Sequence, residues 1–254
     1  MNNKDKWNAQ YYKKNSEGQH AEGLKIVKEL SLTGNENVLD VGCGDGRTTV
    51  EIAKRVPEGS VLGVDISPNM IDEARKSFGD VKNLSFECID ISQFTSNKVF
   101  DFAVSFSAFH WVKDQKKALK NIYSVLKPGG KLLMKFSLQQ KRNPLSIVFE
   151  DPKWEACLRR QKETYFPHTV ESFSELLENV GFKNLNVQTK ELFRAFTDKE
   201  ALFNWSLAWV PAATGLSGNK AKEFTQDVVD SICAENKDGK PDITFSYLLA
   251  RAEK

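Results

Sequence analysis

Several absences narrow the reading of this chain before any motif is considered. Net charge is almost nil, with 36 Lys+Arg against 34 Asp+Glu giving +2, so no global field draws the protein to nucleic acid or to an anionic membrane. The four cysteines, Cys43, Cys88, Cys157 and Cys233, are scattered and form no CxxC pair. They support neither a disulfide framework nor a zinc site, and a reducing cytoplasm is the expected location. Histidine is scarce too: His20, His110 and His168 lie far apart, and no metal is expected. Apolar runs such as 102–106 and 132–134 fall far short of the roughly 20 residues that cross a bilayer. The polar start MNNKDKWNAQ has no signal-peptide core. What is left is a chain of 254 residues, 40% of them hydrophobic, long enough for one large domain carrying an appendage.

The first half of the sequence alternates strand and helix patterns. Asn37–Val41, Val61–Asp65, Leu84–Cys88, Phe100–Phe106 and Lys131–Phe136 read as short apolar strands. Helical patterns lie between them, at 48–56, after Ser67-Pro68 and at 114–126. Ser67 offers an N-cap and Pro68 fits the first helical position. Such alternation predicts βαβ units and a parallel sheet covered on both faces. Continuous apolar strands, rather than alternating ones, agree with burial on both sides. After residue 137 the pattern changes to helices near 169–180, 198–208 and 219–235, with strand-like stretches near 184–196 and 242–252. About 45 residues separate those two stretches, too many for a hairpin loop, so helices are expected between them.

The densest chemical signal is VLDVGCGDGR, residues 38–47. Gly42, Gly44 and Gly46 let the backbone turn sharply after a strand and approach a ligand without Cβ atoms in the way. Asp65, 19 residues past Gly46, ends the second strand, where a carboxylate can accept from both hydroxyls of an adenosine ribose. The spacing is GxGxG rather than the dinucleotide GxGxxG, and Asp40 and Asp45 flank it. Acids there disfavour a pyrophosphate and suit a ligand bearing an ammonium or sulfonium charge, which argues against a NAD-dependent dehydrogenase.

VLDVGCGDGR, VLGVDIS, CIDIS, FDFAVSFSAFHWV and LKPGGKLLMKF, spread over residues 38–136, resemble in order and spacing the signature motifs of class I S-adenosylmethionine-dependent methyltransferases. HWV after the fourth strand and WNAQYYKKNSEGQ near the start resemble the small-molecule branch that includes trans-aconitate and juvenile hormone acid methyltransferases. The resemblance implies a doubly wound, mostly parallel, seven-stranded Rossmann-like α/β sheet and S-adenosylmethionine as cofactor. It implies one domain over 1–254: a helical cap (1–34), a cofactor-binding core (35–137) and a C-terminal part (138–254). That last part would carry acceptor-pocket insertions near 141–170 and 197–240. Position by position, the backbone of Gly42, Cys43 and Gly44 would pack against the methionine portion, with Asp40 near its amino group. Asp65 would hold the ribose, Ile66 would lie against the adenine, Asp90 would accept from the adenine amino group and Ile91 would add a backbone contact. Phe106 and Ser107 would pass the methionine end; relatives carry Asn where this chain has Phe106, so only backbone contacts carry over there. Tyr11 and Gln19 are the expected N-terminal residues that close on cofactor or acceptor.

A carboxylate acceptor is ionised at pH 7 and needs no general base, whereas a hydroxyl or protonated amine often does. The first guess is therefore methylation of a small carboxylic acid with no obligatory catalytic residue, the acceptor being positioned by His110, Trp111 and Gln19. Residues 113–142 hold nine Lys/Arg and one acid, Asp114, and either Lys141 and Arg142 or Arg159 and Arg160 are candidates to attract an acidic acceptor. No NPPY-like tetrapeptide follows the fourth strand, which lowers the case for acting on bases or glutamine. An N- or C-methyltransferase of another small molecule, tRNA or protein stays open, as does a binding protein without turnover. The expected partner is a small-molecule acceptor, with neither membrane nor nucleic acid, and a monomer is expected.

Overall fold

A computed structural model describes residues 7–139, 148 and 151–254. Its helices are α1 (Ala9–Asn15), α2 (Glu17–Lys28), α3 (Arg47–Arg55), α4 (Pro68–Phe78), α5 (Gln115–Val125), α6 (Glu155–Thr164), α7 (Val170–Val180), α8 (Lys199–Leu207), α9 (Val210–Thr214) and α10 (Gly218–Glu235). The strands are β1 (Asn37–Val41), β2 (Ser60–Asp65), β3 (Leu84–Cys88), β4 (Phe100–Phe106), β5 (Leu126–Ser137), β6 (Lys183–Arg194) and β7 (Ile243–Glu253). They form one seven-stranded sheet in the order β3-β2-β1-β4-β5-β7-β6. All neighbours run parallel except β7, which is antiparallel to β5 and β6.

Strand periodicity sorts the apolar residues to two faces. Leu39, Ala103, Leu132 and Met134 pack beneath α5 and α7 with Phe109, Leu119, Ile122, Phe173 and Leu177. Val38, Val104 and Leu133 pack on the other face with Ile26 and Val27 of α2, Ile52 and Ala53 of α3, and Ile71 and Ala74 of α4. Adjacent residues such as Val38 and Leu39 thus serve opposite layers, which is why the strands read as unbroken apolar runs. Each fully buried Phe or Leu contributes on the order of 2–3 kcal/mol.

Local signals set the helix starts. The Ser67 hydroxyl accepts from Met70 N at 3.2 Å, with Pro68 in the first turn. Asp114 caps α5 by accepting from Lys117 N at 3.0 Å, and Thr169 and Ser172 form a capping box on α7. The stretch between β6 and β7 is filled by α8, α9 and α10, as its length implied. With Trp154 and Cys157 these helices enclose a separate small core around Leu202, Val210, Phe224 and Val228. Among the described residues no helix is long and apolar enough to cross a membrane.

The strand order reverses between β1 and β4. The chain leaving β1 and the chain leaving β4 therefore part, opening a crevice at the carboxyl ends of the strands.

Candidate active site

The glycine loop is built by backbone. Gly42 N and Cys43 N both donate to Val64 O, at 2.7 and 3.1 Å, folding the chain back over β2 as soon as β1 ends. Gly42 and Gly44 have φ of 73° and 56°, the left-handed region that glycine enters without strain. Their surroundings differ. A side chain at Gly42 would overlap the Ala108 methyl, whereas a Cβ at Gly44 would meet nothing within 4 Å. One glycine is needed for packing, and the other leaves space over the loop. Asp65 braces this turn, its Oδ2 accepting from Gly44 N at 3.0 Å and its Oδ1 from Ser67 N at 2.9 Å.

Two hollows flank the loop, a larger of ≈ 200 Å³ and a smaller of ≈ 60 Å³, and both are lined by Tyr12, Gly42, Gly44, Phe106 and Ser107. The larger places two acids, Asp65 and Asp90, among the apolar side chains of Ile66, Met70, Ile91 and Val112. Ile66 is 65% exposed, a large aliphatic group left uncovered at the rim. Trp7 and Trp111 meet edge-to-face at 5.7 Å and border the same hollow, and Trp7 also meets Tyr12 at 5.6 Å. The smaller hollow is polar, with Gln19, His20, Asp40, Asp45 and Arg47. There the Asp40 carboxyl, 2% exposed, takes a hydrogen bond from the Thr49 hydroxyl at 2.7 Å. Burial, aided by the nearby Asp65 charge and opposed by Thr49, pushes its pKa up to about 7. Ser107, where the chain leaves β4, has φ 57° and donates its N–H to Lys135 O at 2.7 Å. A serine in the left-handed region is strained backbone held in place by its surroundings.

The geometry gathers Asp40, Gly42, Cys43, Gly44, Asp65, Ile66, Asp90, Ile91, Phe106 and Ser107 around these two hollows, with Trp111 and Gln19. Two expectations need correction, at Tyr11 and at His110. Tyr11 lines neither hollow: its hydroxyl donates to Asn204 Oδ1 on α8 at 2.9 Å. Successive residues of a helix point about 100° apart, so only one of the two tyrosines in α1 can face the site, and it is Tyr12. Cys43 adds backbone, its thiol being packed against Gly63 in the sheet. His110 lies behind the wall, not on it. Its ring is 6% exposed and packs at 5.0 Å against both Trp111 and Tyr165, and its Nδ1 accepts from Ser137 N at 3.3 Å. Burial first, then the Lys135 charge, hold its pKa down to about 3, so the ring is neutral at pH 7. Arg159 and Arg160 line neither hollow, and Lys141 and Arg142 fall outside the described residues. Sequence reasoning missed Trp7, Tyr12, Met70 and Lys113. Only the WNAQYYKK stretch hinted at the first two, and helix phase had to choose between the tyrosines.

Comparison with known proteins settles the family. Residues 38–130 match the model of a methyltransferase domain. Juvenile hormone acid O-methyltransferase of Bombyx mori is 27% identical over 267 residues, covering 94% of this chain and 94% of that protein. Malonyl-[acyl-carrier protein] O-methyltransferase 2 of Ilyobacter polytropus is 33% identical over 192 residues, covering 64% of this chain and 73% of that protein. The chain belongs to the class I S-adenosylmethionine-dependent methyltransferases. Phosphoethanolamine N-methyltransferase 2 of Haemonchus contortus, solved in complex with S-adenosyl-L-methionine, shares the fold with a TM-score of 0.63 at 21% identity, over 92% of this chain and 52% of that one.

The cofactor of this methyltransferase is S-adenosylmethionine, and the residues present fit it. The open space over Gly44 admits a ligand against bare backbone. The larger hollow offers carboxylates and aliphatic walls suited to a nucleoside. The smaller offers the buried Asp40 acid beside donors, which suits an amino acid's two charges.

Proposed function

We propose that this methyltransferase esterifies a small-molecule carboxylic acid. The reading rests on two buried nitrogen groups behind Phe106 and Ser107, Lys135 and His110, neither of which is a base ready to take a proton from an acceptor at neutral pH. Lys135, the register partner of Phe106, is 4% exposed and makes no ion pair among the described residues. Its ammonium lies 4.8 Å from the Tyr247 ring centroid, and burial lowers its pKa to about 8, leaving it mostly charged at pH 7. His110, the histidine nearest this region in sequence, is too weak a base to accept a proton at neutral pH. A carboxylate is ionised at neutral pH, brings its own lone pair and needs no such base. A protonated amine would first have to lose its proton to a base. The names of the Bombyx and Ilyobacter relatives, both O-methyltransferases, agree.

In this reading S-adenosylmethionine supplies an already activated methyl group, and the protein's task is alignment. Asp65 accepts from the ribose hydroxyls and Asp90 from the adenine amino group, with Ile66 and Ile91 against the ring. Asp40 faces the methionine ammonium, the backbone at Gly42 and Gly44 supports the chain between, and Trp7, Tyr12 and Trp111 exclude water. The segment 1–34 and the helices after residue 137 act as cap and acceptor wall around the core at 35–137. The free thiols suit a reducing cytoplasm. A labelled-methyl transfer screen over carboxylic acids, amines and phenols tests the proposal: the product should be a base-labile ester. Label carried only by base-stable products would refute it.

A further inference from the structure

The geometry points to Arg194 as the residue that sets the polarity of the Gln19 amide and thereby makes it a carboxylate-binding donor. Gln19 lines the smaller hollow, and its Oε1 accepts from Arg194 Nη1 at 3.3 Å. A guanidinium has five N–H donors and no acceptor, so only the oxygen end of the amide can turn toward it. The Nε2 end is then left for the hollow, and no group among the described residues accepts from it.

Arg194 is held for this task from three sides. It ends β6, its guanidinium carbon stands 5.4 Å from the Trp205 ring and 5.7 Å from that of Phe245, and it lies across the backbone of α2 at Gly18. A Cβ built on Gly18 would come within 2.6 Å of Cζ and 2.8 Å of Nη2. The bare glycine therefore seats the guanidinium beside the next residue, Gln19. A donor fixed in this way fits an anion with planar oxygens and disfavours an ammonium.

Two carboxylates can reach such a donor: that of the cofactor's methionine end, and that of an acid acceptor. The second source rests on the esterification proposed above. The first rests on the cofactor assignment alone.

Two variants disturb the device from opposite sides. Arg194→Met removes the guanidinium, and Gly18→Ala pushes it off its seat while leaving both partners chemically intact. Ala also raises helix propensity at 18, which offsets part of the cost of displacing the guanidinium, so this variant should stay folded with a Tm close to that of wild type. Calorimetry with S-adenosylhomocysteine and with 5′-methylthioadenosine, which lacks the amino acid portion, reads the cofactor arm. Calorimetry of octanoate and octylamine on S-adenosylhomocysteine-saturated enzyme reads the acceptor arm. We expect both variants to weaken either S-adenosylhomocysteine or octanoate about tenfold, with methylthioadenosine and octylamine unchanged and Arg194→Lys restoring part of the loss. Loss for S-adenosylhomocysteine assigns the donor to the cofactor's carboxylate, and loss for octanoate to the acceptor's. Unchanged binding of both in either variant, at unchanged Tm, overturns the role of Arg194 even if wild-type enzyme forms esters. Failure of ester formation with an intact cofactor arm overturns the acceptor reading alone.

Discussion

The two hollows beside the glycine loop share five residues and are made in different ways. The larger is walled mainly by chain segments leaving β1, β2, β3 and β4, so its acids and aliphatic groups come from places where one parallel strand after another ends. The smaller joins the same loop to α2, and behind it stand β6 and β7, which come from sequence more than 130 residues away. A site made from strand ends inherits its geometry from the sheet. A site closed by distant elements depends on packing that no local motif describes.

The comparison can be broken most forcefully at Gly42. Its side chain would overlap Ala108, and its φ of 73° is costly for any other residue. Gly42→Val should cost roughly 3 kcal/mol or more in stability, in the range of severe core and backbone lesions. It should also abolish S-adenosylmethionine binding, as thermal melts and calorimetry would show; a well-folded variant that still binds would mean that the loop is not the shared wall.

Asp65→Ala comes next. It removes the carboxylate from the larger hollow and from the turn it braces, and should weaken S-adenosylhomocysteine by roughly 100-fold, about 2.7 kcal/mol. An affinity within threefold of wild type would take Asp65 out of the site.

Asp40→Asn should separate binding from stability. In the cofactor-free fold the carboxyl titrates at about 7 instead of its ordinary 3.8, so the folded state holds its proton more tightly than the unfolded chain. Stability therefore falls as pH rises from about 4 toward 7, by on the order of 4 kcal/mol. The asparagine, which can still accept from Thr49, should flatten that slope and raise Tm at pH 8. An ammonium beside Asp40 favours its ionised form, so wild-type affinity for S-adenosylmethionine should climb with pH through about 7, and the variant should lose about tenfold at pH 8. If Tm at pH 8 were lowered and binding untouched, Asp40 would be only a brace for Thr49.

The smallest effect is expected where the cap is latched to α4. Lys13 Nζ lies 2.8 Å from Glu73 Oε1 and 3.2 Å from the Ser77 hydroxyl, but the lysine side chain is 41% exposed. Lys13→Met should change stability by less than about 1 kcal/mol. Stopped-flow release of S-adenosylhomocysteine should quicken by no more than a few-fold; a tenfold change would make this latch a principal hold on the cap.

How much was legible follows from the same division. The limits of β1 and β4 matched their apolar runs, because buried parallel strands write themselves as continuous hydrophobic stretches bounded by turn residues, whereas β3, at the sheet's edge, alternates buried and exposed residues. The Ser67 cap and the helices between β6 and β7 were equally readable. The sequence offers Tyr11 and Tyr12 side by side, and Tyr12 is the one that faces the site, because the phase of a seven-residue helix is fixed only by what it packs on. His110 was placed among acceptor-positioning residues because it follows β4, yet the turn after that strand sends the ring inward to Ser137 and Tyr165 and leaves Trp111 at the surface of the hollow. Nothing near Arg194 in sequence announces a link to Gln19, 175 positions away.

By itself, then, the sequence determined the parallel core and the glycine loop with its acids at the strand ends, since hydrophobic period and backbone freedom are local properties. Only the tertiary structure decided which tyrosine closes the site, that Asp40 holds its proton to about 7 and His110 stays neutral, and that an arginine on the sheet's far edge orients an amide in the cap. Burial, electrostatic surroundings and long-range contacts arise only when elements distant in the chain are pressed together.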